Sequence, residues 1–245
     1  MLVVGLALVL ALIARTTPSH AEFVMCLGGQ GATPPPGAVL PPRPRLAFYS
    51  DRNLRLPDKV TATIGGTPVV VTKTSTTSPP FHILTIAIDS ARTGELVVTY
   101  EHHAPLRYTV KPIEMPKDVP GTIGRFTGDV TGPRTEEFDG LAIRLPENTP
   151  AIVAHVRHRS GEAQAWLPLD VALYTPPESQ RPMIRVGRFA CESNADLAAL
   201  SRGFELEVTV TLADGRTVPV TGLAKRMTLP AALPPQPRPK NQRPR

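Results

Sequence analysis

Lys59-Val60-Thr61-Ala62-Thr63-Ile64-Gly65-Gly66-Thr67-Pro68-Val69-Val70-Val71-Thr72-Lys73 is the stretch that decides the fold class. Two runs rich in β-branched residues flank Gly65-Gly66, and a glycine pair accepts the positive φ that a two-residue hairpin turn demands. A tight antiparallel hairpin is therefore expected, with strands at Lys59 to Ile64 and Pro68 to Lys73. Working outward, further strands are predicted at Arg45 to Tyr49, Phe81 to Ile88, Glu95 to Glu101 and Leu106 to Lys111, each bounded by Pro, Gly or Asp. These six strands make a first β domain spanning residues 45–114.

Met115-Pro116-Lys117-Asp118-Val119-Pro120-Gly121 interrupts the pattern, because two prolines and a glycine do not suit a central strand. Residues 115–121 are expected to be a linker. A second β domain, residues 122–229, is predicted from strands at Gly140 to Leu145, Ala151 to Arg159, Trp166 to Tyr174, Met183 to Ala190, Phe204 to Leu212 and Thr217 to Thr221. Ala213-Asp214-Gly215-Arg216 supplies another hairpin turn. One short connector helix is expected at Ala195 to Ser201, capped by Ser193 or Asn194. Short strands at this spacing argue for an all-β chain of two antiparallel β-sandwich-like domains in tandem.

Asp139-Gly140-Leu141-Ala142-Ile143-Arg144-Leu145, the strand Ala151 to Arg159, and Phe204 to Val210 leading into Asp214-Gly215-Arg216 carry a resemblance. This second half resembles fibronectin-type-III or immunoglobulin-like domains of exported bacterial proteins, over about 100 residues and in pattern rather than by a diagnostic motif. The resemblance implies a sandwich with a spacer or adhesion role, and it brings no family active site. The chain departs from the antibody-type pattern, since its cysteines are far apart and Trp166 does not lie between a close pair.

The two ends have different chemistry. Leu2 to Ala14 is a run of 13 largely apolar residues followed by Arg15-Thr16-Thr17-Pro18 and Ser19-His20-Ala21, the layout of a signal peptide cleaved before Glu22. It is shorter than the ~20 residues a spanning helix needs, and Met25 before Cys26 argues against lipidation there. Export to the periplasm or cell surface is expected, with no transmembrane segment in the mature chain. In that compartment Cys26 and Cys191 are expected to form a disulfide, with two unpaired thiols the alternative.

Proline reaches 29 of 245 residues, more than double the usual ~5%. It concentrates in a Pro-rich N-terminal segment, residues 22–44, and in a tail, residues 230–245. The formal charge of +6 belongs largely to that tail. Arg238, Lys240, Arg243 and Arg245 lie there without an acid, whereas Glu22 to Leu229 holds 22 basic against 21 acidic residues. A body so near neutrality has no electrostatic footprint for nucleic acid. Alternating prolines hold the tail extended, so its four cations are candidate contacts for an envelope protein or an anionic cell-surface polymer.

No catalytic residue, cofactor or metal ligand is expected. His102 and His103 are neighbours that point to opposite faces of a strand, as do His155 and His158, so neither pair forms a two-ligand platform. Along Ala151 to Arg159 the alternation places Ile152, Ala154 and Val156 towards the core and Val153, His155, Arg157 and Arg159 towards solvent. Glu136, Glu137 and Asp139 read as acids of one polar loop, and there is no Gly-x-Ser-x-Gly elbow. The expected function is that of an exported, non-enzymatic binding or scaffolding protein. Phe48, Tyr49 and Tyr100 are its candidate exposed aromatics unless the core takes them. The rival reading is a carbohydrate-binding or hydrolytic enzyme with a site in the cleft between the two β domains.

Overall fold

The computed structural model describes residues 31–51, 57–78, 81–100, 104–130, 136–160, 167–173, 181–188, 203–224 and 226–227. Cys26, Cys191, His102, His103, Trp166, the signal and connector-helix segments and the C-terminal tail lie outside them. The described residues form eighteen strands and no helix. In chain order they are β1 (Gly31–Thr33), β2 (Val39–Leu40), β3 (Arg45–Asp51), β4 (Val60–Ile64), β5 (Thr67–Val69), β6 (Val71–Ser78), β7 (Phe81–Ile88), β8 (Gly94–Tyr100) and β9 (Leu106–Val110). Then follow β10 (Val119–Pro120), β11 (Thr122–Val130), β12 (Glu136–Arg144), β13 (Ala151–Ser160), β14 (Leu167–Ala172), β15 (Met183–Arg188), β16 (Phe204–Leu212), β17 (Thr217–Thr221) and β18 (Arg226–Met227). No described helix is long and apolar enough to cross a membrane.

The glycine-pair hairpin forms as expected. β4 and β5 pair antiparallel with Ile64 opposite Thr67, and Gly65 and Gly66 both take positive φ. The predicted strand Pro68 to Lys73 is, however, divided. β5 ends a sheet ordered β2-β9-β8-β4-β5, whereas β6 is the edge of a second sheet ordered β1-β3-β7-β6. Val70, 69% exposed, is the corner where the chain leaves one sheet and enters the other. A run of three valines has equal propensity on both sides of such a corner, so local sequence does not mark it.

Those two sheets enclose a core. Leu46, Phe48, Leu84, Ile86 and Ile88 come from one, and Leu40, Ala62, Ile64, Leu96, Val98, Tyr108 and Val110 from the other. The Tyr108 hydroxyl is buried with its ring and donates to the Pro34 carbonyl at 3.2 Å. Removal of that ring from water raises its pKa, with a smaller contribution from Tyr100.

A second pair of sheets, β10-β17-β16-β13-β14 and β11-β12-β15, encloses another core. Along β16 burial alternates strictly, with Phe204, Leu206, Val208, Val210 and Leu212 inward. Leu141, Ile143, Ile184 and Val186 meet them from the facing sheet. Both halves are therefore β-sandwiches: two sheets, each with one face on a shared apolar layer.

The structure of this half differs from the sequence reading in three places. β11 was not foreseen, because Gly124, Gly128 and alternating charge dilute its β signal, yet it pairs with β12 over its whole length. Glu136, Glu137 and Asp139 belong to β12, not to a loop. The segment 115–121 is also less separate than a free linker, since Val119 is buried in the second core and β10 runs parallel to β17. Pro120 is tolerated because β10 is an edge strand.

Gly121 follows β10 where two backbones and three side chains converge. A Cβ there would stand 2.6 Å from Val220 Cγ1 and 3.2 Å from Ile143 Cγ2. Gly121→Ala is expected to destabilise the protein by about 1–3 kcal/mol through overpacking, read as a lowered urea midpoint. An unchanged midpoint would mean that Val220 yields freely.

Candidate functional site

The sheet containing β13 and β16 presents a polar outer face. From His155 onward in β13, and along β16, odd-numbered residues point outward, so His155, Arg157 and Arg159 stand beside Glu205, Glu207, Thr209 and Thr211. Arg159 binds one Glu205 oxygen through Nε at 2.9 Å and Nη2 at 2.6 Å. Arg157 reaches Glu207 at 3.2 Å. His155 Nε2 lies 2.8 Å from the Thr211 hydroxyl, which lies 3.1 Å from that of Thr217. Opposite charges are paired across the strands, so the face carries little net field. Each exposed pair contributes at most about 1 kcal/mol.

His158 points to the other side, half-buried opposite Leu206, as alternation requires. Its Nδ1 is buried without a hydrogen-bond partner, and desolvation holds the imidazole pKa below its ordinary value. The fold thus accepts the neutral ring. On acidification the unfolded chain takes the proton first, so stability falls as pH drops below about 6.5. In His158→Leu this part of the pH dependence is expected to disappear. Urea midpoints of both proteins at pH 7.5 and 5.5 measure it, and identical pH slopes would refute it.

The expected alternation at the start of β13 is overturned. Val153 does not face solvent: it is buried, and with Ile152 it joins the core of the first half, while Ala154 and Val156 remain in the second. A β-bulge between Ala151 and Val153 makes this possible by letting consecutive side chains share a direction. Ala213, in the β16–β17 turn, also belongs to the first core.

Two hydrogen bonds to backbone carbonyls cross this joint among the described residues. The Thr33 hydroxyl donates to the Ile152 carbonyl at 2.8 Å, and the Arg45 amide donates to the Ala213 carbonyl at 2.6 Å. The turn itself is held by Asp214, whose carboxylate accepts from the Arg216 amide at 3.0 Å and binds its guanidinium. Gly215, at φ 88°, lies against Arg45; a Cβ there would be 2.7 Å from the Arg45 Nε. The Asp-Gly turn foreseen in the sequence therefore also serves as a contact between the halves.

Of the candidate aromatics, Phe48 is a core residue, 3% exposed, which removes it from the surface. Tyr100 is half-buried and meets the Phe48 ring edge-on at 5.1 Å, and burial raises its pKa. Tyr49 is half-buried and its ring covers Gly31, its cross-strand partner. Phe48 and Tyr100 thus pack on each other, whereas Tyr49, next to Phe48 in β3, points to the opposite face of the sheet. Arg238, Lys240, Arg243 and Arg245 lie outside the described residues. Among the described residues no group of three or more His, Cys, Asp or Glu could hold a metal ion.

No family model and no curated protein matches the chain. Among solved structures it is similar to a pullulanase type I from Bacillus subtilis complexed with maltose, at 7% identity and a TM-score of 0.26 over 75% of this chain. It spans about a quarter of that pullulanase, 24%. It is also similar to titin domains A168–A170, at 11% identity and a TM-score of 0.22 over 79% of this chain and 61% of that one. Tandem Ig repeats of Dlar align at 12% identity with a TM-score of 0.23, covering 78% of this chain and 96% of that one. Likenesses of this size assign no activity.

Proposed function

We propose that the protein is an exported, non-enzymatic binding or scaffolding module of the periplasm or cell surface, built from two immunoglobulin- or fibronectin-like sandwiches in tandem. The observation that carries the reading is the joint. Ile152, Val153 and Ala213 enter the core of the other half, occupying apolar space at the place where an enzyme of this architecture would need an open cleft. A fused joint suits a spacer that holds two surfaces at a fixed separation. The neutralised outer face of β13 and β16 suits a solvated wall, since its cations and carboxylates bind each other.

On this reading the signal segment directs export, Cys26 and Cys191 staple the N-terminal segment to the second half, and partner contact falls to sheet edges, interstrand loops and the basic tail. The test is a pull-down from the native cell envelope with the protein from Glu22, with and without the residues after Leu229. Retention of a specific envelope protein or polymer by the body supports the reading, and loss on truncation assigns the contact to Arg238, Lys240, Arg243 and Arg245. Retention of nothing by either form at low salt would overturn it.

A further inference from the structure

Sheet edges expose unpaired backbone groups, and folded proteins blunt them with proline, glycine kinks, inward charge or shortness. Most described edges here follow that rule. β5 is three residues long and contains Pro68, β10 is two residues with Pro120, and β14 contains Pro168. β11 carries two glycines and both signs of charge, and β15 carries Arg185 and Arg188.

β6 does not. It is eight residues long, Val71-Thr72-Lys73-Thr74-Ser75-Thr76-Thr77-Ser78, with no proline or glycine and one charge. Among the described residues it pairs only with β7. β14 approaches both β6 and β7, and no described strand pairs with the outer edge of β6. Residues 72–76 are exposed on both faces, and the Lys73 ammonium is drawn back to the Asp58 carbonyl at 2.5 Å.

The ladder with β7 determines which groups are free. The Asp89 amide donates to the Val70 carbonyl at 3.2 Å, so Val70 and Asp89 are a hydrogen-bonded pair. The register Val71 to Ile88 and Thr72 to Ala87 continues without a shift. In an antiparallel ladder such pairs alternate. Thr72, Thr74 and Thr76 therefore direct their amides and carbonyls at β7, whereas Val71, Lys73, Ser75 and Thr77 direct theirs outward.

We infer that β6 is a self-association edge, whose partner is β6 of a second copy of this chain in antiparallel register about Ser75. A two-fold axis there sets Ser75 opposite Ser75, Thr74 opposite Thr76 and Lys73 opposite Thr77. Outward groups then face outward groups and make about six main-chain hydrogen bonds. Lysine never meets lysine, and hydroxyl-bearing residues oppose one another, a favourable cross-strand combination. Pro79, which has no amide, lies beyond the paired stretch. The two four-stranded sheets become one of eight, ordered β1-β3-β7-β6-β6-β7-β3-β1, within the ordinary range of sheet size. A single strand pair is a small interface, which places the dimer among weak, reversible associations.

Sedimentation velocity of the purified protein over about 1–200 μM tests this against Ser75→Pro. The Ser75 amide is outside the β7 ladder, so proline is compatible with the edge strand but blocks the partner. Concentration-dependent dimerisation weakened about tenfold or more by Ser75→Pro is the expected result. A monomer throughout the range, or a dimer indifferent to the substitution, would overturn it. Ser75→Cys decides the matter should the proline variant fail to fold. Opposed residues of a hydrogen-bonded pair are about 5.5 Å apart at Cα, within disulfide reach. Mild oxidation should yield a dimer linked through residue 75, mapped by mass spectrometry, and absence of that link would refute the register.

Discussion

Ile152→Asp is expected to cost about 5 kcal/mol or more, a large share of the ordinary stability of a folded domain. Ile152 is 1% exposed and its surroundings in the first core are apolar. The new carboxyl would either stay charged without a partner or be held neutral at a strongly raised pKa. Its cost should therefore be smaller at pH 4.5 than at pH 8, because the unfolded carboxyl releases its proton at a lower pH than the buried one. Ile152→Ala separates lost packing from charge and should cost about 2–5 kcal/mol, without that added pH dependence. The location of the damage is as informative as its size. Ile152 belongs to β13 in the chain but to the first core in space, so amide exchange should accelerate in β3 and β7 as well as β13. Loosening confined to β13 would show that the halves are energetically independent and would remove the main support for a rigid spacer.

Phe204→Ala is expected to cost about 3–5 kcal/mol. Phe204 is among the largest fully buried side chains and begins the strictly alternating strand β16, where it anchors the second core beside Leu206. Its loss leaves a void that neighbours fixed in two hydrogen-bonded sheets fill only in part. Urea denaturation followed by tryptophan-independent far-UV dichroism measures it. A loss under 1 kcal/mol would mean that the second core repacks far more readily than a sandwich interior should. Combined with Ile152→Ala, the effect tests coupling: additive losses indicate separate cores, and a departure from additivity indicates energy shared through β13.

The joint explains why these expectations differ from those for two beads on a string. A polar linker with independent cores would confine each mutation to its own half. Here Thr33, Arg45 and Gly215 fasten the β16–β17 turn and the β13 bulge to the first half. The relative placement of the halves then depends on side-chain packing and not only on residues 115–121.

Period-two alternation and paired turn residues, read from the sequence, determined the all-β class, the Gly65-Gly66 hairpin, the Asp214-Gly215 turn and most strands, including β3, β7 and β16. These are local signals: a φ requirement and a one-sided burial pattern are written into neighbouring residues. The run Ala151-Ile152-Val153-Ala154 reads in the sequence as ordinary alternation with Val153 towards solvent, and its burial on both sides is a finding of the structure. Tertiary structure alone decided which core each of those side chains entered, because a bulge reverses facing without changing composition. It alone placed the sheet switch at Val70, drew Phe48 inward, made β10 part of a sheet and left β6 with β7 as its one strand partner among the described residues. Each of these depends on which distant strand lies alongside, and strand pairing between remote segments is set by the summed burial of whole faces, which no local stretch encodes.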